Sequence, residues 1–539
     1  MNLNFLIILL MSFIYEVGPG KPYENIGDVP LESLNPGDTV RIYYKSTPYY
    51  EKWVIGRKGT QNSPIVFQGV PDSVTGNLPV IDGENAVTRL QLDYWSEERG
   101  IINVGGSSYP GQIPEYIIIE NLEIRKARPP YSFYDDQGQI RYYAENASSI
   151  YVVEGDHITV RNCILQDCGN GFFVSHSAKN IVVECCYIYN NGIEGSYYEH
   201  NSYTEAQGII FQFNHFGPLR NGCLGNNLKD RSCGCVIRYN WIEYGNRQLD
   251  LVDSDYPEIY NDPSYRKTFV YGNILIEQYD EGNSQIVHYG GDSGDTTHYR
   301  HGFLYFYNNT IVSKRTGNTT IFRLSTNLES CDARNNIFYV TASGNRLAMI
   351  ADYGNLIVRN NWLKTGWVIS HGNFQGTFVD SGGIIAGEEP GFLDFINENF
   401  HLKSTSPCID AGAPLSPTVL PDHNVLYQYV KHRSYEIRPY DGIFDIGAYE
   451  YSPSSVSEKS KINNKECIVF TNHKGIIFYN LPENALIETF DLTGRLVFKL
   501  EKIKNKIYII PLNKINSGIY FYTITLQNFH KKGKIYVLK

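Results

Sequence analysis

A short segment that recurs along the chain constrains its fold more than any other feature of the sequence. Each copy has residues that favour β-strands, then one Asn, then further apolar residues, as in residues 237–242 (IRYNWI). The copies are centred on Asn162, Cys186, Asn240, Asn273, Asn309, Asn336 and Asn361, with Cys replacing Asn in the second. Such self-similarity indicates a repeat architecture, in which each unit buries its apolar side only against its neighbours.

The spacing of these copies indicates a solenoid of short strands. The successive intervals are 24, 54, 33, 36, 27 and 25 residues. An interval near 25 residues accommodates one coil of a parallel β-solenoid. Asn suits a bend, because it tolerates the left-handed backbone conformation and its amide can hydrogen-bond to the coils on either side. The interval of 54 residues, from Cys186 to Asn240, holds either two coils or one coil with a large insertion.

Composition supports an all-β fold and disfavours a nucleic-acid partner. The chain has 43 Tyr, 26 Phe and 48 Gly but only 3 Met, and helical apolar periodicity is scarce. Its net charge is −10, and no basic stripe is interleaved with aromatic residues.

Both ends of the repeat region resemble those of secreted right-handed parallel β-helix proteins. Near the start, residues 36–40 (PGDTV) form a turn followed by a strand, and residues 79–83 (PVIDG) form a later strand. At the other end, residues 445–449 (DIGAY) resemble the closing segment of such proteins. The resemblance implies a right-handed parallel β-helix over residues 19–451.

The terminal segments indicate export. Residues 1–14 are apolar but too short to span a membrane, and we predict a signal peptide over residues 1–18. Residues 452–463 are polar and linker-like. Within residues 464–539, the motifs DLTGR (491–495) and GIYFY (518–522) resemble the C-terminal sorting domain of the bacterial type IX secretion pathway. This implies a small β-sandwich, the type IX machinery as partner, and a secreted or cell-surface protein without a transmembrane span. A carbohydrate-binding sandwich is the alternative.

The stretch from residue 199 to 255 concentrates side chains that can carry out chemistry. In residues 248–251 (QLDL) the leucines alternate with polar residues, so Gln248 and Asp250 lie on the outer face if the leucines face the core. A parallel sheet stacks equivalent positions about 4.8 Å apart. Residues around 203–205, 229–231 and 250 are therefore expected to share one outer patch, which suits an extended sugar chain. Residues 292–295 and 298–301 are expected to be loops that rim a groove.

Two elements of this stretch, HNSY (200–203) and NLKDRS (227–232), resemble secreted β-helix proteins that degrade polysaccharides. More distantly, they are similar to β-helix polysaccharide lyases such as chondroitinase B and alginate lyase. That resemblance implies Lys229 as the base, Arg231 as its assistant, and a calcium ion held by carboxylates.

Cleavage of a uronate polymer by β-elimination sets conditions on these residues. A cation must neutralise the carboxylate, and a base must reach the C5 proton. Lys229 can act as base only if its pKa is lowered, to which Arg231 would contribute. Tyr203 or His200 would protonate the leaving oxygen. The nearby aspartates would either bind Ca²⁺ or supply the acid and base of a glycoside hydrolase.

We predict an all-β protein that cleaves an acidic, uronate-containing polysaccharide by β-elimination. A glycoside hydrolase and a non-catalytic glycan-binding surface protein are the alternatives on the same scaffold. We expect a monomer. The predicted site comprises catalytic Lys229, Arg231, Tyr203 and His200, substrate-binding Arg220, Arg247 and Gln248, and Asp250 and Asp253 for Ca²⁺.

Overall fold

The computed structural model describes residues 12–279, 281–452, 468–472, 475–479, 486–491, 495–500, 507–511, 518–526 and 529–537. The chain forms two compact units, Met1–Pro453 and Ser454–Lys539. Residues 1–11 of the predicted signal peptide and residues 453–463 of the predicted linker lie outside the described residues. Within the described part, no helix is long and apolar enough to cross a membrane.

The first unit is a parallel β-helix with three faces, named A, B and C in the order met around the Asn bend. The strands of face A precede the bend and are Ile14–Val17, Thr39–Tyr43, Ile65–Val70, Glu115–Glu120, Gln207–Gln212, Cys233–Arg238, Lys267–Tyr271, Phe303–Tyr307, Ser330–Arg334, Asn355–Arg359 and Thr377–Asp380. Face B follows the bend and consists of Val80–Asp82, Glu123–Arg125, Ile164–Gln166, Tyr187–Tyr189, His215–Phe216, Trp241–Glu243, Ile274–Glu277, Thr310–Ser313, Ile337–Val340, Trp362–Lys364 and Ile385–Gly387.

Face C completes each coil and leads into face A of the next. Its strands are Glu51–Ile55, Gly100–Val104, Ser202–Thr204, Leu228–Asp230, Leu249–Leu251, Gln285–Tyr289, Thr319–Leu324 and Leu347–Ile350. Two long strands, Ser148–Arg161 and Asn170–Glu184, run through both faces. The parallel solenoid confirms the predicted fold class.

Alternation along each strand builds the core. In Gln207–Gln212, Ile209 and Phe211 are buried while the residues between them point outward. Parallel pairing then stacks Ile181, Ile209 and Cys235 in successive coils. Because each coil repeats this pattern, the inward side chains form one continuous apolar core along the solenoid.

The bend after face A uses two consecutive residues, not one. The first residue has the left-handed conformation, with φ of 56° at Cys185, 60° at Phe213 and 55° at Tyr239. The second points inward and joins a row of amides, where Nδ2 of Asn240 donates to Oδ1 of Asn273 at 3.0 Å. We call this row the asparagine ladder; its members, all fully buried, are Asn214, Asn240, Asn273, Asn309, Asn336 and Asn361.

The long interval between Cys186 and Asn240 contains two coils, because Asn214 is a further ladder residue. The backbone N–H of Cys186 donates to Oδ1 of Asn214 at 2.9 Å, and Nδ2 of Asn214 donates to Oδ1 of Asn240 at 3.0 Å. A coil with one large insertion is therefore excluded. The face B strand that follows, His215–Phe216, has only two residues, which concealed this copy in the sequence.

The first coil overlaps the predicted signal peptide. Strand Ile14–Val17 pairs in parallel with Thr39–Ile42. Cleavage after residue 18 would remove this strand, so a leader that spares the first coil must end before residue 14. The signal peptide itself stays a prediction.

The closing segment of the first unit covers two faces and leaves face C accessible. Outward residues of face B, such as Trp241 and Trp362, pack against Phe400, Tyr429 and Tyr449 from this segment. Outward aromatic residues of face A pack against Leu415, Val419 and Val425. Its hairpins are Phe392–Asp394 with Asn399–Leu402, and Tyr427–Val430 with Ser434–Ile437.

The second unit has two antiparallel sheets, as predicted for a small sandwich. Its core contains Ile476 and Ile510 from the first sheet and Ile487, Tyr522 and Ile524 from the second. The sheets consist of Ile468–Asn472, Gly475–Tyr479 and Ile507–Pro511, and of Leu496–Leu500, Leu486–Asp491, Gly518–Leu526 and Phe529–Val537.

Candidate active site

Face C carries one column of outward side chains through seven successive coils. The strand register pairs each member with the next, about 4.8 Å along the solenoid axis. The column is aromatic at its N-terminal end, ionic in its middle and cationic at its C-terminal end. We call it the face C column; its members are Tyr151, Phe173, Tyr203, Lys229, Asp250, His288 and Arg323. Residues 203, 229 and 250 therefore share one outer row.

The last five members of this column, from Tyr203 to Arg323, line an open cleft of about 730 Å³. Two tyrosines that line the cleft, Tyr197 and Tyr198, are 60% and 80% exposed. Six of the nine predicted site residues line it, and they are His200, Tyr203, Lys229, Arg231, Arg247 and Asp250.

Lys229 is held between two carboxylates. Its Nζ donates to Oδ2 of Asp250 at 2.9 Å and to Oδ2 of Asp292. Burial alone would lower the pKa of Lys229, but the charges of Asp250 and Asp292 outweigh that and raise the pKa. The condition for Lys229 as a base, a lowered pKa, is therefore not met, and the side chain stays a buried cation.

Arg231 joins the phenol of Tyr203 to the ionic network. Its Nε donates to the Tyr203 hydroxyl oxygen at 3.0 Å, and its Nη2 donates to Oδ1 of Asp292 at 2.9 Å. Its Nη1 donates to the backbone oxygen of Asp253. The guanidinium is thus fixed on three sides and can stabilise negative charge on the Tyr203 oxygen.

His200 is a neutral donor in the cleft wall. Burial, followed by the charge of Lys229, lowers the pKa of His200 to about 3. Its Nδ1 accepts the backbone N–H of Asn226 at 2.9 Å, which assigns the ring proton to Nε2. The ring packs edge-on against Tyr203, with centroids 5.5 Å apart. His200 can therefore donate a hydrogen bond from Nε2 but cannot accept a proton there.

Two residues at the centre of the site were missed in the sequence. Asp292 bridges Lys229 and Arg231; burial would raise its pKa, but these two cations outweigh burial and lower it. The segment 292–295 was expected only to rim a groove. Nδ1 of His288 donates to Oδ1 of Asp250 at 2.8 Å, and its Nε2 lies 3.0 Å from Oγ of Ser325.

Three predicted site residues lie outside the cleft. Arg220 pairs with Asp167 at 2.8 Å, in a neighbouring pocket. Gln248 is 1% exposed, and its Nε2 donates to the backbone oxygen of Tyr244 at 2.9 Å. It lies at the corner before the strand, where alternation does not hold. Asp253 is fully buried, and its Oδ1 accepts the backbone N–H of Asp292 at 2.7 Å. Asp253 thus anchors the loop that carries Asp292.

The carboxylates predicted to bind calcium do not fit a metal. Asp250 already accepts from Lys229, Asn226 and His288, and Asp253 is occupied by the loop at residues 292–293. Among the residues that the structure describes, no group of three or more His, Cys, Asp or Glu side chains is arranged to hold a metal ion.

Comparison with known proteins identifies the C-terminal module. Residues 472–538 match the family described as the secretion system C-terminal sorting domain. This confirms the predicted sorting domain over a carbohydrate-binding sandwich and places the protein in type IX secretion, at the cell surface or in the extracellular space. No curated protein matches the chain.

Two solved structures share a distant likeness. One is a GH136 lacto-N-biosidase from Eubacterium ramulus, with 10% identity, 70% of this chain and 67% of that chain covered, and a TM-score of 0.36. The other is a DFA-IIIase from Arthrobacter chlorophenolicus A6 without its lid, with 13% identity, 66% and 85% covered, and a TM-score of 0.26. These likenesses are too distant to argue an activity from. The predicted resemblance to polysaccharide lyases is not confirmed.

Proposed function

We propose that this exported protein cleaves an acidic polysaccharide by β-elimination in the face C cleft. The observation that carries the proposal is the Tyr203–Arg231 pair beside the neutral donor His200. A phenol oxygen backed by a fixed guanidinium can exchange a proton with a sugar, and a neutral imidazole N–H can hydrogen-bond a uronate carboxylate.

In this reaction Tyr203, not Lys229, carries the proton. The Tyr203 oxygen, as the phenolate that Arg231 stabilises, takes the C5 proton of the uronate. The C–H electron pair forms the C4–C5 double bond, and the bond from C4 to the glycosidic oxygen breaks. The Tyr203 hydroxyl then returns the proton to the leaving oxygen. Lys229 and Arg231 stabilise the negative charge that develops on the substrate.

The ionic network supports a functional site because folding alone does not require it. Lys229 and Asp250 are 7% and 2% exposed, and removing such charges from water costs several kcal/mol per ion. Well-packed apolar side chains at the same positions would serve a solenoid equally well. A buried ionic network with a large desolvation cost, lying on the floor of an open cleft, is typical of a catalytic or binding site.

A glycoside hydrolase is the second candidate, and the carboxyl groups of the cleft favour it. Burial raises the pKa of Glu199, whereas the charge of Lys229 helps to hold the pKa of Asp292 and Asp250 low against their burial. Carboxyl groups whose pKa values differ in this way can act as acid and base on a glycosidic bond.

Product analysis separates these reactions. We would incubate the full chain with alginate, pectate, glycosaminoglycans and ulvan-type polymers and record ultraviolet absorbance and new reducing ends. A lyase produces unsaturated, absorbing ends, which Tyr203→Phe should abolish while the exposed Tyr142→Phe does not. Reducing ends without absorbance would replace the proposal by a hydrolase. Retarded migration in polymer-containing gels with neither product would show a non-catalytic glycan binder.

A further inference from the structure

The cations of the cleft differ in how completely they are paired. Lys229 contacts two carboxylates, and Arg231 contacts Tyr203, Asp253 and Asp292. Arg323 and Arg247, at the C-terminal end of the same cleft, are the exceptions. Their guanidinium groups keep donor capacity that the folded chain does not use.

Arg323 is an exposed, outward residue at the C-terminal end of the face C column. It follows His288 in the face C column, and its strand neighbours Phe322 and Leu324 are buried in the core. The side chain is exposed, and in the part of the chain that the structure describes no acceptor or carboxylate is paired with its guanidinium. All five of its N–H donors are thus open to a ligand.

Arg247 is a largely buried cation that is only partly satisfied. Its Nη2 donates to Oε1 of Gln285 at 2.7 Å, and its Nη1 lies 3.9 Å from Oδ1 of Asp250. Its Nε is buried and meets no acceptor among the described residues. Burial and, to a smaller extent, the charge of nearby Arg323 lower the pKa of Arg247. A buried donor without a partner is costly, and an anionic oxygen between the two arginines would relieve this cost.

The opposite end of the cleft is aromatic and carries no free cation in the described residues. Tyr197 and Tyr198 expose most of their rings there, next to Tyr203 and His200. Aromatic rings bind the apolar faces of sugars, whereas guanidinium groups bind carboxylate or sulfate in a planar, bidentate manner. The two ends of the cleft along the solenoid axis are therefore chemically different, one aromatic and the other cationic.

We propose that Arg247 and Arg323 form an anion subsite, which binds the carboxylate or sulfate group of a sugar residue two to four coils along the solenoid from the one cleaved at Tyr203. Tyr197 and Tyr198 stack on a sugar ring at the other end. A sugar residue in an extended chain has nearly the same repeat as the coil spacing of about 4.8 Å, so successive sugars match successive coils. The substrate thus runs parallel to the solenoid axis, with an obligatory anionic group at the end nearest Arg323. This inference rests on the proposed function only in that both place a glycan in the face C cleft.

Binding measurements on a non-cleaving background test the subsite. Tyr203→Phe is the parent, and Arg247→Gln, Arg323→Gln and the double variant are compared with it by calorimetry. The ligands are uronate oligomers, sulfated oligomers and neutral oligomers of equal length. Arg359→Gln, an exposed arginine of face A, is the matched control.

We expect each cleft arginine variant to bind acidic oligomers about ten-fold more weakly than the parent does and to bind neutral oligomers equally well. Comparing the affinities for uronate oligomers and sulfated oligomers shows which anion the subsite binds. The proposal is wrong if the double variant binds acidic oligomers as tightly as its parent. It is equally wrong if the parent does not prefer acidic over neutral oligomers, or if Arg359→Gln has the same effect.

These outcomes are independent of catalysis. Arginine-dependent binding without any product from the Tyr203-containing chain would refute the proposed reaction and keep the subsite. Product formation with arginine-independent binding would refute the subsite alone. Thermal unfolding of each variant, compared with its parent, separates a lost contact from a lost fold.

Discussion

The asparagine ladder and the face C column are both in-register rows of side chains in the same coils, yet their chemistry is opposite. The ladder repeats one neutral amide, and each member is fully buried and bonded to the next. The column has a different residue in nearly every coil, and its middle is charged and borders an open cleft.

This difference shows how a repeat protein divides its tasks. Stacked identical amides satisfy one another, because each offers a donor and an acceptor at the same height. Stacked charges cannot do this; they need complementary partners brought from elsewhere, such as Asp292 for Lys229. The repeated residues therefore serve the fold, and the departures from repetition mark the site. Changes in the column should lower activity, with an added loss of stability where a buried ion pair is broken, and changes in the ladder should lower stability alone.

The largest expected effect follows from Tyr203→Phe. Loss of the group that transfers the proton should lower the rate of unsaturated product formation about 10²- to 10⁴-fold. The melting temperature should change little, since the ring and its packing against His200 are kept. The rate is measured from ultraviolet absorbance. A variant that retains more than a tenth of the activity would show that Tyr203 does not carry the proton.

Lys229→Met tests the ionic part of the column. It leaves Asp250 and Asp292 without their shared cation, and breaking a buried pair costs about 3–5 kcal/mol. Urea unfolding of the full chain measures the change in the free energy of unfolding. Adding Asp292→Asn should recover part of the loss, and exposed Lys267→Met is the control. An unchanged free energy of unfolding would contradict the pairing.

Asn273→Ala tests the ladder. Nδ2 of Asn273 donates to the backbone oxygen of Ile237 at 2.9 Å and to Oδ1 of Asn309 at 3.0 Å, and its Oδ1 accepts from Asn240. We expect a loss of about 2 kcal/mol in the free energy of unfolding, because buried partners are left unpaired. Activity per folded molecule should stay within about two-fold. A large fall in activity with normal stability would remove the distinction between ladder and column.

The smallest expected effect concerns pH. Burial raises the pKa of Glu205, beside the cleft strand Ser202–Thr204, from its ordinary value of 4.5 to about 7. The folded chain thus binds this proton more tightly than the unfolded chain, so the associated stability is present below pH 4.5 and is lost as the pH rises to 7. Glu205→Gln should therefore be about 1–2 kcal/mol more stable than the parent near pH 6 and equal to it at pH 4. Exposed Glu389→Gln is the control; equal shifts in both variants would refute the assignment.

Much of the fold was predictable because it follows from short sequence patterns. The period of the Asn segment indicated the solenoid, the alternation in residues 248–251 placed Asp250 outward, and motifs near the C-terminus indicated the sorting domain. Asn214 and the two-residue bend were missed, because a two-residue strand and a Phe in the left-handed position obscure the repeat.

Local patterns were enough to predict that coils stack and that residues around 203–205, 229–231 and 250 share one outer patch, since strand alternation and parallel register repeat in every coil. Which charges meet depends on the tertiary fold. Asp292 follows Lys229 by 63 residues and His288 follows Asp250 by 38, across loops of unequal length that erase any period. The pKa directions depend on those encounters: Lys229 becomes a paired cation, not a base, because two carboxylates outweigh its burial.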